Sequence, residues 1–252
     1  MECDDREVRL LASRSMKPGG DHYRAFVGPP AQYDFMGATQ FRLLTALGLR
    51  EEHYLLDVGC GSLRAGRLLI PYLLPRRYCG LDPNRWLVEQ AVADELGADI
   101  IAIKRPVFSY AEDFDLTAFE RQFDFIVAQS IFSHTGADLF DRALANIATV
   151  LAPGGQLLFT VVTENAAHSG RVQGNESLGW IYPGCVVYPP DVILRCCSDH
   201  GLIAERIDWF HPRQTWFRCV RDQSITLAAT GARLGDGRVL FDERFKKPVP
   251  AR

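Results

Sequence analysis

A basic excess is missing. Lys and Arg number 28 against 31 Asp and Glu, a formal net charge of -3, so the positive stripe that a nucleic-acid surface needs is absent. No apolar run reaches the roughly 18 residues of a membrane span. The opening MECDDREVRLLASRSMKPGG is charged from its second residue and has no leader-like apolar core. Cysteine pairing is missing too. Seven cysteines (Cys3, Cys60, Cys79, Cys185, Cys196, Cys197 and Cys219) show no CxxC and no Cys/His ligand spacing, so neither a disulfide framework nor a metal site is indicated. There is no internal repeat and no low-complexity tract. What remains is the expectation of a soluble, cytoplasmic protein without nucleic-acid, membrane or metal partners. Its 47% hydrophobic content is enough for a real core.

The chain divides by rhythm. Residues 1–35 are polar, then rich in Gly and Pro, and read as an arm that either folds over a cofactor as a lid or only packs on the sheet. Residues 36–222 form the main domain, and 223–252 a tail that is an extra strand, a dimer contact or disorder. In the main domain, apolar runs at 54–58, 77–82, 106–110, 123–130 and 156–163 alternate with helix-like segments at 36–47, 63–74, 84–96 and 137–151. Strand–helix alternation predicts an α/β fold, a parallel sheet covered on both faces. Pro153-Gly154-Gly155 reads as a turn before the fifth strand. A helix at 189–200 and two runs around His211-Pro212-Arg213 predict a closing antiparallel hairpin.

The most informative stretch is LLDVGCGSLRAGRLLIPYL, Leu55 to Leu73. A strand ends at Asp57-Val58, followed by Gly59, Cys60 and Gly61. The strand-to-helix turn of an open parallel sheet is where ligands bind. A dinucleotide fingerprint would place a third glycine at position 64, which is Arg64. Asp57 would repel a pyrophosphate and suits a cation. The second strand ends on Asp82, where a carboxylate accepts hydrogen bonds from a ribose diol. Asp57 and Asp82 as plain helix caps are the blander reading.

LLDVGCG, GLDP, FDFIVAQSIFSH and LAPGGQLLFTV, in that order, resemble the motifs of class I S-adenosylmethionine (SAM) dependent methyltransferases, over roughly Leu55 to Val220. IFSHT and GSLRAGRLLIPYL are similar to a bacterial subgroup with many unassigned substrates. The resemblance implies a Rossmann-like seven-stranded mixed sheet in the order 3-2-1-4-5-7-6, strand 7 antiparallel, with helices on both faces. It implies that the Asp57, Gly59, Cys60, Gly61 loop holds the methionine part of SAM, that Asp82 holds the ribose and that Gln129 lies beside the sulfonium, with S-adenosylhomocysteine (SAH) as product. Two positions depart from the pattern. Leu63 stands for the loop's usual third glycine, and Tyr110 for the acid that reads the adenine, with Glu112 one turn on.

His134 follows the fourth strand and is a candidate general base, since a near-neutral imidazole can deprotonate a hydroxyl or amine; holding its loop is the alternative. His168 and His211 are weaker candidates. Trp180, Tyr182 and Tyr188, in the irregular segment after strand 5, together with Trp209, are candidates for the acceptor pocket, or for core, as is Trp216. Tyr33 and Phe35 read as lid residues or as packing. Arg64 and Arg67 read as solvent-facing or paired with an acid, with substrate contact the minority reading. Cys196-Cys197 read as buried on a helix, with thiol-dependent methyl-acceptor chemistry the rarer reading. The expected function is methylation of an O or N atom of a small molecule. The rivals are a protein or peptide acceptor, a non-catalytic SAM-binding module and, least favoured, a dinucleotide-dependent oxidoreductase.

Overall fold

The computed structural model describes residues 8, 12–163, 171–173 (backbone alone), 177–225 and 234. His168 and the tail beyond residue 225, Leu234 apart, lie outside them. Five strands run parallel in succession: β1 (Leu55–Val58), β2 (Tyr78–Leu81), β3 (Val107–Ser109), β4 (Phe123–Ala128) and β5 (Leu151–Val161). A hairpin of β8 (Ile203–Ile207) and β9 (Thr215–Val220) completes the sheet, β9 lying antiparallel to both β5 and β8. The order is β3-β2-β1-β4-β5-β9-β8. Counted within this sheet alone, that is the expected 3-2-1-4-5-7-6, and β9 is the one reversed strand.

The central strands are apolar on both faces because both faces are covered. On β4, Ile126 and Ala128 join one core cluster while Phe125 and Val127 join the other. Leu56 and Leu55 of β1 divide the same way. The first cluster packs under α6 (Ala137–Val150) and α7 (Pro190–Asp199), the second under α2 (Tyr33–Ala46), α3 (Gly66–Tyr72) and α4 (Arg85–Ala91). A one-turn helix, α1 (Tyr23–Phe26), lies in the arm. None of the described helices is long and apolar enough to cross a membrane.

Several boundaries differ from expectation for local reasons. α2 begins at Tyr33, so the arm ends earlier than residue 35. α3 begins only at Gly66, because Leu63 has φ +54. α4 continues into a single π turn, Val92–Leu96, closed by Gly97 N donating to Val92 O at 2.7 Å. The expected turn at Pro153-Gly154-Gly155 is absorbed into β5 as a bulge, Phe123 pairing with Leu151 and Phe125 with Gln156. Not foreseen were α5 (Ala98–Lys104) and a small parallel pair, β6 (Arg171–Gln173) with β7 (Cys185–Val187).

Candidate functional site

A cavity of about 620 Å³ opens at the carboxyl ends of β1, β2 and β4. At one end lies the glycine loop. Gly59 and Gly61 have φ +71 and +51, and Leu63 keeps a left-handed backbone where a third glycine would have stood. A non-glycine residue there costs about 1–2 kcal/mol, which the fully buried Leu63 side chain offsets. The missing β-carbons make room for protein. A Cβ on Gly59 would meet Ile131 Cδ1 at 1.9 Å, and one on Gly61 would meet Val27 Cγ1 at 2.9 Å. Cys60 fills space over Gly80, its sulfur 2.9 Å from where a Cβ would sit, and burial pushes its thiol far up.

Asp82 organises this end. Its Oδ2 accepts from Gly61 N at 2.9 Å, and its Oδ1 from Asn84 N at 2.8 Å and Nδ2 at 3.1 Å. A carboxylate has about four acceptor positions, so one remains on Oδ2. Burial raises the Asp82 carboxyl, against these hydrogen bonds. Asp57 is also buried and is pushed up to about 6, mainly by burial. The Tyr78 hydroxyl, donating at 2.9 Å, and the Arg64 charge oppose that shift, and Asp82 adds to it. Arg64 lines the cavity, contrary to the solvent-facing reading, and donates to Val27 O at 3.1 Å while its Nε has no partner. Gln129 is more telling. It is 6% exposed and lines the cavity, and neither amide atom has a protein partner. Each such buried group left unpaired costs about 1–3 kcal/mol. A buried acid short of positive charge beside an orphaned amide and an unpartnered guanidinium Nε fits a polar, cation-bearing ligand.

Toward the β8–β9 hairpin the cavity carries two histidines held differently. His134 Nδ1 lies 2.7 Å from the Gly184 carbonyl. A carbonyl only accepts, so Nδ1 bears the proton and the neutral ring has its lone pair on Nε2. His211 Nδ1 accepts from Arg213 N at 3.2 Å and Gln214 N at 2.9 Å, which places its proton on Nε2. That nitrogen is 3.3 Å from Ser130 Oγ. The pair looks like a nucleophile and its base, but a protonated Nε2 cannot take the serine proton. The Tyr182 ring meets His134 edge-on at 5.2 Å and stacks near Phe26 at 6.0 Å, and Trp180 lies against Phe114 at 5.5 Å. Both are about half exposed at the rim.

Of the residues singled out in the sequence, Asp57, Gly59, Cys60, Gly61, Asp82, Glu112, Gln129, His134, Trp180, Tyr182 and His211 line this one cavity. Others do not. Tyr33 is no lid: it is buried, donates to Ser62 O at 2.6 Å and carries the Arg24 guanidinium 4.6 Å above its ring, so it pins the glycine loop. Phe35 packs on Phe210 outside the cavity. Tyr188 is core, its hydroxyl donating to Thr135 O at 2.8 Å. Trp209 and Trp216 sit in the second core cluster. Tyr110 lies outside the lining, under Arg85 at 3.9 Å, leaving Ala111 and Glu112 at that edge. Sequence reasoning missed Ser130 and Cys185; it offered the arm as a lid but named Tyr33 and Phe35 for it, whereas the segment that forms a wall is Phe26–Pro29.

Residues 56–157, from β1 into β5, match a family model described as a methyltransferase domain. Solved structures share the fold at low identity. "DhpI-SAH complex structure" is 21% identical with a TM-score of 0.56, over 85% of this chain and 95% of that one. Magnesium protoporphyrin IX methyltransferase (ChlM) from Synechocystis PCC 6803 with bound SAH is 16% identical with a TM-score of 0.55, over 86% and 94%. The (4+2)-cyclase SpnF is 22% identical with a TM-score of 0.53, over 81% and 72%.

Proposed function

We propose that this chain, which carries a methyltransferase domain on the class I SAM-dependent methyltransferase fold, methylates an oxygen or nitrogen atom of a small-molecule acceptor. The observation that carries the reading is a single cavity lined both by the Asp57–Gly61 loop with Asp82 and by His134. SAM, when bound, supplies a methyl group already activated by its sulfonium. Asp57 and Gln129 would hold its methionine ammonium and neighbouring polar atoms, Arg64 its carboxylate, and Asp82 Oδ2 a ribose hydroxyl. The orphaned Gln129 amide and the acid-rich cradle support this fit.

The protein's own work is alignment and proton removal. His134 Nε2 accepts the acceptor's proton, and its Nδ1–H on Gly184 O fixes the ring in the basic tautomer. Trp180 and Tyr182 provide an apolar rim. The arm wall at Phe26–Pro29 narrows the entrance, which favours a small molecule over a peptide laid in an open groove. The His134 tautomer favours turnover over a binding-only module. Calorimetric titration with SAH and with NADH tests the cofactor: SAH binds and NADH does not. Asp82→Ala lowers SAH affinity at least tenfold with an unchanged circular dichroism spectrum. NADH binding without SAH overturns the reading.

A further inference from the structure

We infer that Ser130 is an anchoring donor for an anionic oxygen of the acceptor, a carboxylate or phosphate, with His211 and Gln214 setting its direction; this rests on the reading of the cavity given above. Ser130 lies in the turn just past β4 with φ +63, in the left-handed region that serine occupies at a cost. Its N–H donates to Thr160 Oγ1 of β5 at 2.8 Å, and its hydroxyl meets His211 and Gln214 of the hairpin. The group is therefore tied to the β5–β9 side, away from Asp57 and Asp82.

Hydrogen-bond lengths and partners together assign the donors. Thr160 Oγ1 and Gln214 Oε1 are 2.6 Å apart, an O–H···O length. Gln214 Nε2 is 3.2 Å from Ser130 Oγ and 3.3 Å from Ser133 Oγ, both suited to N–H···O. Turning the amide over would reverse both matches. His211, with Nδ1 occupied by two backbone amides, donates from Nε2. Ser130 Oγ thus receives two hydrogen bonds, which fills both lone pairs. What it has left is its proton, and no group among the described residues accepts it. Ser130 lines the cavity, so the complementary partner is a ligand oxygen.

Charge makes that oxygen anionic. Among the described lining residues, Asp57, Asp82 and Glu112 all lie at the β1–β3 side. The hairpin side offers Arg213 and the Ser130 hydroxyl, with no carboxylate among the described lining residues there. A donor set without a counter-charge is matched best by an anion, since charge-assisted hydrogen bonds are about twice as strong as neutral ones.

The test titrates SAH-loaded protein with benzoate, phenyl phosphate and neutral benzyl alcohol, by calorimetry. At least one anion binds tenfold or more tightly than the alcohol, and the preferred anion tells carboxylate from phosphate. Ser130→Gly, which suits the left-handed backbone, removes about tenfold of that preference and leaves SAH affinity unchanged. His211→Asn keeps an acceptor for the two turn amides but deletes Nε2–H, and removes part of it. Equal binding of all three probes, or full anion preference in Ser130→Gly, overturns the inference alone. Failure of SAH itself to bind overturns the methyltransferase reading and this inference with it.

Discussion

Asp57 holds its proton longer in the folded protein than in the unfolded chain, because burial raises it from 3.8 to about 6. The folded state therefore binds more protons between those values. Its stability falls as pH rises from about 4 to about 6 and is flat, for this group, above that window. Asp57→Asn removes the penalty while keeping an acceptor for the Tyr78 hydroxyl. At pH 8 the variant is more stable than the parent by about 1–3 kcal/mol, and at pH 4 the two are equal, as urea titrations at the two values will measure; a pH-independent difference refutes it. The same variant binds SAH less well, so function and stability pull apart at one atom pair. The two histidines give a second residue-scale prediction. Nitrogen-15 NMR of the neutral rings finds the proton on Nδ1 of His134 and on Nε2 of His211, and the opposite pattern would remove the base assignment. Asp57, Gly59, Gly61 and Asp82 were legible in the sequence because a strand-end acid and two glycines form a local pattern. Tyr33, Tyr188 and Trp209 were not: which way an aromatic ring faces is set by partners far along the chain, such as Ser62 for Tyr33.

Among the elements, strands were easier to read than the pieces between them. β1 and β4 are buried on both faces and show as continuous apolar runs. α5 buries none of its residues and so leaves no periodic stripe. The β6–β7 pair is only three residues per strand. The bulge in β5 hides behind Pro-Gly-Gly, which local rules assign to a turn. One buried ion pair ties the arm to the domain, beside the Arg64 and Phe26 contacts already described. Arg24 Nε donates to Glu95 Oε1 at 2.7 Å, the Tyr23 hydroxyl donates to the same oxygen at 2.9 Å, and Arg24 Nη2 pairs with it as well. Breaking such a buried pair costs about 3–5 kcal/mol. Glu95→Gln frees the arm and exposes Arg24, so limited trypsin digestion cuts there several-fold faster than in the parent, and SAH affinity falls. Equal cutting rates would show that the arm is held by other contacts.

Over the whole molecule, the cavity joins the sheet's carboxyl edge, the arm and the hairpin, so ligand binding stabilises all three together. SAH at 100 times its dissociation constant adds about 2.7 kcal/mol. For a chain of this size that raises Tm by about 5–10 °C; a tenfold loss of affinity in Asp82→Ala cuts the shift to about half at the same SAH concentration, and a larger loss cuts it further. A ligand that shifts Tm by less than 1 °C in the parent would mean the cavity does not take it up. The four ordered motifs carried the fold in advance, because they fix the central strands and the turn beside them. They did not carry the acceptor. The groups that would select it, Ser130, His211, Arg213 and Gln214, lie on two distant stretches with no spacing of their own, and a fold shared with both methyltransferases and a cyclase does not choose among reactions.

The π turn at Val92–Leu96 has the form of a one-residue insertion in α4. Each helical residue turns the chain by about 100°. A single-codon deletion within that turn would therefore restore a regular helix and swing Glu95 away from Arg24. The register of that one turn therefore decides whether Glu95 faces Arg24 and ties down the N-terminal arm.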